Sequence, residues 1–322
     1  MMDHRKKERI SVKIVQSRAL CLLCMVLVLL VFSACSRKAQ NTSGQSGQSG
    51  QSGQSSSSES QGSAEQAGPD SGELQAVFFD VGKGDCILLT MGESHVLLDT
   101  GYEETAPMII GKLKEQGVES LDAMIITHYD KDHVGGATEI AQAIPVDRFY
   151  LPDYDGESDK CGDLIDLIQK KGLDSIRVSA KEQIVLGQAE IEVDPALVEY
   201  DPIEENDNDA SLIIKIYYQD DEWLLPGDIE KEAIEVWLSE NTQTFDIVKM
   251  PHHGRKEGNT KEFIENTDPS IAVITDSTED EANKKVLKQL DKKNIPYYRS
   301  SVDGTITITG NGSGIYEVTK EE

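Results

Sequence analysis

From Glu73 to the C terminus the chain alternates short apolar runs with polar punctuation. QAVFFDV (75–81) and CILLTM (86–91) have the apolar, β-branched and aromatic character of strands, and HVLLD (95–99) follows the turn Gly92-Glu93-Ser94. The three read as neighbours in a meander. PMIIGKLKEQG (107–117) spaces its apolar positions as a helix does and stops on glycine. LDAMIIT (121–127) predicts a buried strand, GGATEIAQAI (135–144) the following helix, RFYLP (148–152) a strand and CGDLIDLIQKKG (161–172) another helix. The middle is strand-like: IRVSA, EQIVLGQAEIEVD, SLIIKIYY and EWLLPGD, separated by turn residues. Alternation then returns, with helices predicted over 230–240, 260–266 and 281–292, strands over 246–250 and 271–275, and the closing strands YYRS and GTITITG. Two strand-rich halves with helices outside predict an α/β fold of two packed sheets covered by helices.

Upstream the pattern changes. Arg5, Lys6, Lys7, Arg9, Lys13 and Arg18 precede the apolar run ALCLLCMVLVLLVFSA (19–34), which ends at Cys35. A basic stretch before an apolar core reads as a secretory signal, and Phe32-Ser33-Ala34-Cys35 resembles a bacterial lipobox, with Phe where leucine is usual. The expectation is a leader over 1–35 and a lipid anchor at Cys35. The alternative is an uncleaved anchor, for which the run is short of the roughly 20 residues of a span. Both place the remainder on the extracellular face of a bacterial membrane, because the basic flank stays inside. Residues 36–72 repeat Ser-Gly-Gln without large apolar residues. Such a segment cannot offset the entropy of ordering and reads as a tether. Residues 73–322 are one domain.

That domain carries 53 acidic and 23 basic side chains, net −30, which argues against a broad basic face for nucleic acid. Its two cysteines, Cys86 and Cys161, give no disulfide framework.

Three strand ends carry the chemistry. Strand 121–127 delivers THYDKDHVGG, with His128, Asp130, Asp132 and His133 inside six positions. Strand 223–225 delivers Pro226-Gly227-Asp228, and strand 246–250 delivers MPHHGR with His252 and His253. Four of the six histidines of the chain lie in these motifs. His128 and Asp130 can point one way and Asp132 and His133 another, which suits two cations about 3.5–4 Å apart with Asp228 able to bridge. Imidazole plus carboxylate fits manganese or zinc, and extra oxygen ligands admit magnesium. The bland alternative, a polar helix-capping loop, does not account for three such strand ends.

These motifs carry a resemblance. FFDVGKGDCILL (78–89), LLDTG (97–101), IITHYDKDHVGG (125–136), NDASLIIKI (208–216), LLPGD (224–228), IVKMPHHGRK (247–256) and DGTITI (303–308) make the domain similar to the metallo-β-lactamase fold. Within that fold they resemble the nuclease-like domain of ComEC-type DNA-uptake proteins. The resemblance implies an αββα four-layer sandwich, one or two divalent metal ions and phosphodiester hydrolysis. Carried over, His128, Asp130, Asp132 and His133 would bind metal, Asp228 would bridge, and one of His252 and His253 would be a ligand while the other touches a phosphate or leaving group. Asp132, Asp228 and His253 would be catalytic. Asp99 would support the loop, Asp80 and Asp85 would shape the glycine turn, and Asn208 or Asp209 would stand where the fold usually places an intermediate histidine. Asp130 replaces the second histidine of the common His-x-His-x-Asp-His loop, and the multi-helix channel of uptake proteins has no counterpart in the sequence.

The leading expectation is a membrane-tethered phosphodiesterase acting on DNA. The alternatives are a cell-wall phosphoesterase, as surface phosphorylcholine esterases of this fold are, and a non-hydrolytic DNA-binding accessory. Lys83, Lys131, Lys249, Arg255 and Lys256 recur in the motif loops as a possible rim for phosphate.

Overall fold

The structure, a computed structural model, describes residues 8–13 and 72–321. The leader and tether fall outside the described residues, apart from a strand within 1–35 and the single residue Gly72. The strands are β1 (Glu8–Lys13), β2 (Leu74–Phe78), β3 (Ile87–Met91), β4 (Ser94–Leu98), β5 (Ala123–Ile125), β6 (Phe149–Pro152), β7 (Ser175–Val178), β8 (Glu182–Leu186), β9 (Ala189–Asp194), β10 (Ile213–Tyr218), β11 (Asp221–Leu225), β12 (Ile247–Lys249), β13 (Ile271–Ile274), β14 (Tyr297–Arg299), β15 (Thr305–Gly310) and β16 (Ile315–Glu321). They form a nine-stranded sheet, β1-β16-β15-β2-β3-β4-β5-β6-β7, and a seven-stranded sheet, β14-β13-β12-β11-β10-β9-β8.

Side-chain alternation along each strand builds the layers. In β2, Leu74, Ala76 and Phe78 enter the core between the sheets, where they meet Trp223 and Leu225 of β11 and Ile306 and Ile308 of β15. Val77 and Phe79 face the opposite way, into a core shared with Ile109 and Leu113 of the helix Ala106–Glu115. On the second sheet Leu224 and Val248 pack with Ala233, Ile234 and Trp237 of the helix Lys231–Glu240. Each fully buried Leu, Ile or Phe contributes about 1.5–3 kcal/mol. The order is helix, sheet, sheet, helix, the αββα sandwich.

Each sheet passes from antiparallel hairpins to parallel pairing, at β4-β5-β6-β7 in one and β11-β12-β13-β14 in the other. Open sheets bind ligands beyond the carboxyl ends of parallel strands. The motif loops leave β5, β11 and β12 at those ends.

Some elements differ from the sequence reading. EQIVLGQAEIEVD is a hairpin, broken at Gly187 with φ 59°. LDAMIIT narrows to Ala123–Ile125. The last strand, Ile315–Glu321, was not anticipated: IYEVTKE is charged, and only Tyr316 and Val318 are buried.

Candidate metal centre

The loop after β5 enters the short helix Lys131–Val134 with Asp130 at its N-terminal cap position, but no side-chain hydrogen bond caps that helix. The capping alternative for Asp130 is therefore not realised. The glycine turn after β2 presses against this loop: Asp85 N–H donates to the Asp132 carbonyl at 3.1 Å. At Gly84, with φ 152°, a Cβ would lie 2.7 Å from that same oxygen. A side chain does not fit there.

Three histidines are oriented by the same logic. The Thr127 hydroxyl donates to Asp99 Oδ2 at 2.7 Å and so accepts from His128 Nδ1 at 3.0 Å. His133 Nδ1 donates to Asp99 Oδ2 at 2.8 Å. The Thr275 hydroxyl donates to Asp85 Oδ1 at 2.6 Å and accepts from His253 Nδ1 at 3.1 Å. With each Nδ1 bonded outward, each Nε2 is the nitrogen left to face inward, where an ion can take the place of a proton. His128 Nε2 is buried with no hydrogen-bond partner.

The other two Nε2 atoms face each other at 3.4 Å. Asp228 Oδ2 lies 2.8 Å from His253 Nε2 and 3.3 Å from His133 Nε2, and Asp132 Oδ2 lies 3.5 Å from His253 Nε2. His128, His133 and Asp228 form one group of converging donor atoms, and Asp132, His133 and His253 another. Asp130 stands at the edge, its Oδ2 3.8 Å from His128 Nε2.

Five carboxylates surround this point (Asp85, Asp99, Asp130, Asp132 and Asp228) against the ammonium groups of Lys83 and Lys249. Burial opposes charge on His133, yet Asp228 and Asp99 hold its ring well above the usual histidine range. For His253 burial is likewise outweighed, by Asp228 and Asp132. Burial also works against ionised Asp228, but His253, Lys249 and His133 hold its carboxyl well below the usual range. A field this negative, with imidazole nitrogens aimed inward that would exchange a proton for an ion, fits divalent cations.

The remaining residues fall into place around this cluster. Lys249 is fully buried, with its ammonium 2.8 Å from Asp228 Oδ1, 2.5 Å from Asp85 Oδ2 and 3.0 Å from the Gly227 carbonyl. Lys83 bonds Asp132 Oδ2 at 2.8 Å, and Arg255 pairs with Asp280. Of the basic rim, only Lys131 and Lys256 stand exposed with no such partner drawn into the site. Asp80 is exposed and accepts from Gly82 N–H at 3.1 Å, shaping the turn. Asp209 stands outside the converging groups: its Oδ1 caps the helix Lys231–Glu240, accepting from Glu230 N–H at 2.8 Å and Ala233 N–H at 3.0 Å. Asn208 donates to Glu230 Oε1 at 2.8 Å. His252 does not join the cluster; its Nδ1 faces Glu230 and Glu257 at 3.1 and 3.2 Å.

Sequence reasoning missed Thr127, Thr275, Glu230 and Glu257. Thr275 ends a strand that was read correctly, so the rule that strand ends carry the site would have found it. The histidine pair sits in the left-handed region, His252 at φ 47° and His253 at φ 51°, as does Asp99 at φ 53°. Such conformations cost about 1–3 kcal/mol each and persist where the surroundings fix them.

ComE operon protein 3 of Bacillus subtilis (strain 168) is 27% identical over 261 residues, 73% of this chain and 33% of that protein. Competence protein ComA of Neisseria gonorrhoeae is 23% identical over 210 residues, 63% of this chain and 27% of that one. The chain thus spans a third or less of these curated relatives, both competence proteins of the ComEC type. The metallo-beta-lactamase fold protein YhfI of Bacillus subtilis superposes with a TM-score of 0.51 at 11% identity, over 74% of this chain and all of that one, a likeness of fold. The model of the metallo-beta-lactamase superfamily matches residues 79–274. The chain belongs to the metallo-beta-lactamase superfamily.

Proposed function

We propose that the chain is a metal-dependent phosphodiesterase that cleaves DNA and is held at the extracellular face of a bacterial membrane through Cys35. The observation that carries the hydrolytic reading is the convergence of Asp132, His133, Asp228 and His253 around one point, with the lone pair of His128 buried beside them. The motif resemblance to the nuclease-like domain of ComEC-type DNA-uptake proteins supports DNA as the substrate class. The tether rests on the lipobox and the Ser-Gly-Gln repeat of the sequence.

His128, Asp130, Asp132, His133, Asp228 and His253 would hold one or two divalent ions, manganese or zinc. Bound there, such ions supply Lewis acidity toward a phosphoryl oxygen and toward water at neutral pH. The protein fixes everything else. Asp99, Thr127, Asp85 and Thr275 hold the rings in one tautomer, so none reorients during a turnover. Lys249 keeps the Asp228 carboxylate turned with Oδ2 toward the cluster. Lys131 and Lys256 are exposed cations for phosphates adjoining the scissile one.

A second reading, a phosphoesterase for short or cell-wall phosphodiesters, is favoured by charge. The domain is net −30, and three of five rim cations are already paired with carboxylates of the chain. The test is hydrolysis by the purified, chelator-stripped protein after reloading with manganese, zinc or magnesium. Linear DNA is compared with bis(p-nitrophenyl) phosphate. DNA cleavage abolished by His253→Ala is expected. Turnover of the small diester alone would replace the DNA reading with the second, and no turnover of either would refute both.

A further inference from the structure

The side chain of His252, turned away from the cluster, ends in a pocket of its own. Its Nδ1 lies 3.1 Å from Glu230 Oε1 and 3.2 Å from Glu257 Oε1, and the three ligand atoms lie within 4.8 Å of one another. The residue is 6% exposed, and the Nδ1 is buried without a hydrogen-bond partner. A second buried atom without a partner borders the trio: Oδ1 of Asn208, whose Nδ2 donates to Glu230 Oε1 at 2.8 Å. Both carboxylates sit on fixed mounts. Glu230 opens the helix Lys231–Glu240 with its N–H on Asp209. Glu257 exchanges two bonds of 2.9 Å with Thr260 at the start of the helix Thr260–Thr267.

The spacing fits a cation. Although two carboxylate oxygens lie near it, the Nδ1 makes no hydrogen bond of normal geometry to either. Around an ion with ligands at about 2.1 Å, adjacent donors are about 3.0 Å apart in an octahedron and about 3.4 Å in a tetrahedron. The observed 3.1 and 3.2 Å lie between these values. Two carboxylates this close also repel unless a cation joins them. Side-chain exposures of 34% for Glu230 and 20% for Glu257 leave a route from solvent.

We propose that Glu230, His252 and Glu257 form a second cation site, separate from the cluster around Asp228, that takes one divalent ion of the manganese or zinc class. The ion ties the loop after β11 to the loop after β12 and braces the left-handed turn that presents His253. This site does not depend on the hydrolytic reading.

The test counts ions on the full chain. Stripped protein is dialysed against Mn²⁺ and, separately, Zn²⁺, and bound metal is measured by elemental analysis. Glu257→Gln, which touches nothing in the main cluster, is expected to bind one equivalent less than wild type with at least one of the two metals. A protein with His133→Ala and Asp228→Asn, which takes donors from both groups of the main cluster, is expected to keep one equivalent, lost when Glu257→Gln is added. Equal content in wild type and Glu257→Gln with both metals overturns the site, as does a folded double variant that keeps none. If the double variant fails to fold, the comparison of wild type with Glu257→Gln decides.

Discussion

The ammonium of Lys249 lies 2.8 Å from Oδ1 of Asp228, while the other oxygen of that carboxylate lies 2.8 Å from His253 Nε2. A buried cation of the protein itself thus fixes which face of Asp228 meets the cluster. Lys249→Met removes the charge and leaves Asp85 and Asp228 buried without it. Breaking a buried pair costs about 3–5 kcal/mol, or roughly 10 °C for a domain of this size. A melting temperature in chelator within about 2 °C of wild type would show that the lysine is not holding the two carboxylates.

Asp228→Asn keeps the shape but removes the charge shared by His133 and His253. Metal affinity is expected to fall more than about 100-fold, with hydrolysis falling in step. His95→Gln is the control, because His95 bonds Thr90 at 3.1 Å far along the sheet and is expected to leave metal content unchanged. Full metal occupancy in Asp228→Asn, by elemental analysis, counts against Asp228 as a ligand.

Local features were legible before any coordinates. His128, Asp130, Asp132 and His133 lie within one loop, and strand-then-loop logic placed them together with Asp228 and the histidine pair. The helices over 107–117, 161–172, 230–240 and 260–266 were legible for a similar reason, since their apolar spacing is local. Lys249 could not be assigned from the sequence. Its position in IVKM allows either face, and only the meeting of β12 with the glycine turn after β2 decides that it turns inward to Asp85. The division of labour within His252-His253 was hidden likewise, because it depends on a left-handed turn and on two glutamates from other loops.

Away from the site, Lys215 bonds Asp194 at 2.6 Å and Glu192 at 3.2 Å, with Lys181 also on Glu192. Burial alone would raise the Glu192 carboxyl, but Lys181 and Lys215 bring it below its ordinary 4.5. Burial would lower Lys215, but Asp194 and Glu192 bring it above 10.5. A depressed carboxyl stabilises the fold above its unfolded pKa and loses that contribution as pH falls; a raised ammonium stabilises below its unfolded pKa and loses it as pH rises. Lys215→Met is therefore expected to melt below wild type by about 2 kcal/mol at pH 7. The gap is expected to narrow below pH 4.5 and above pH 10.5. A gap constant across calorimetric scans from pH 3 to pH 11 would exclude charge as its source.

Binding to DNA is expected to depend weakly on salt. With Lys83, Lys249 and Arg255 already paired with carboxylates of the chain, Lys131 and Lys256 offer two phosphate contacts. At about −0.7 to −0.9 per contact, a variant without turnover is expected to give a slope of log K against log salt of roughly −1 to −2. A slope steeper than about −4 would require a basic track elsewhere on the surface.

The pairing of β2 with β15 sets an order on the birth of the molecule. Gln75 bonds Thr309 across 234 residues of sequence, and Phe78 lies opposite Ile306 in the register. Synthesis from the N terminus makes β2 more than 200 residues before its partner β15. Until then β2 lacks one neighbour, and the core between the sheets stays open to water. Closing a contact this distant is slow. The nascent protein therefore spends most of its synthesis with apolar strand edges unpaired, a stage at which holding factors and proteases act, and it commits to its fold only when the last strands arrive.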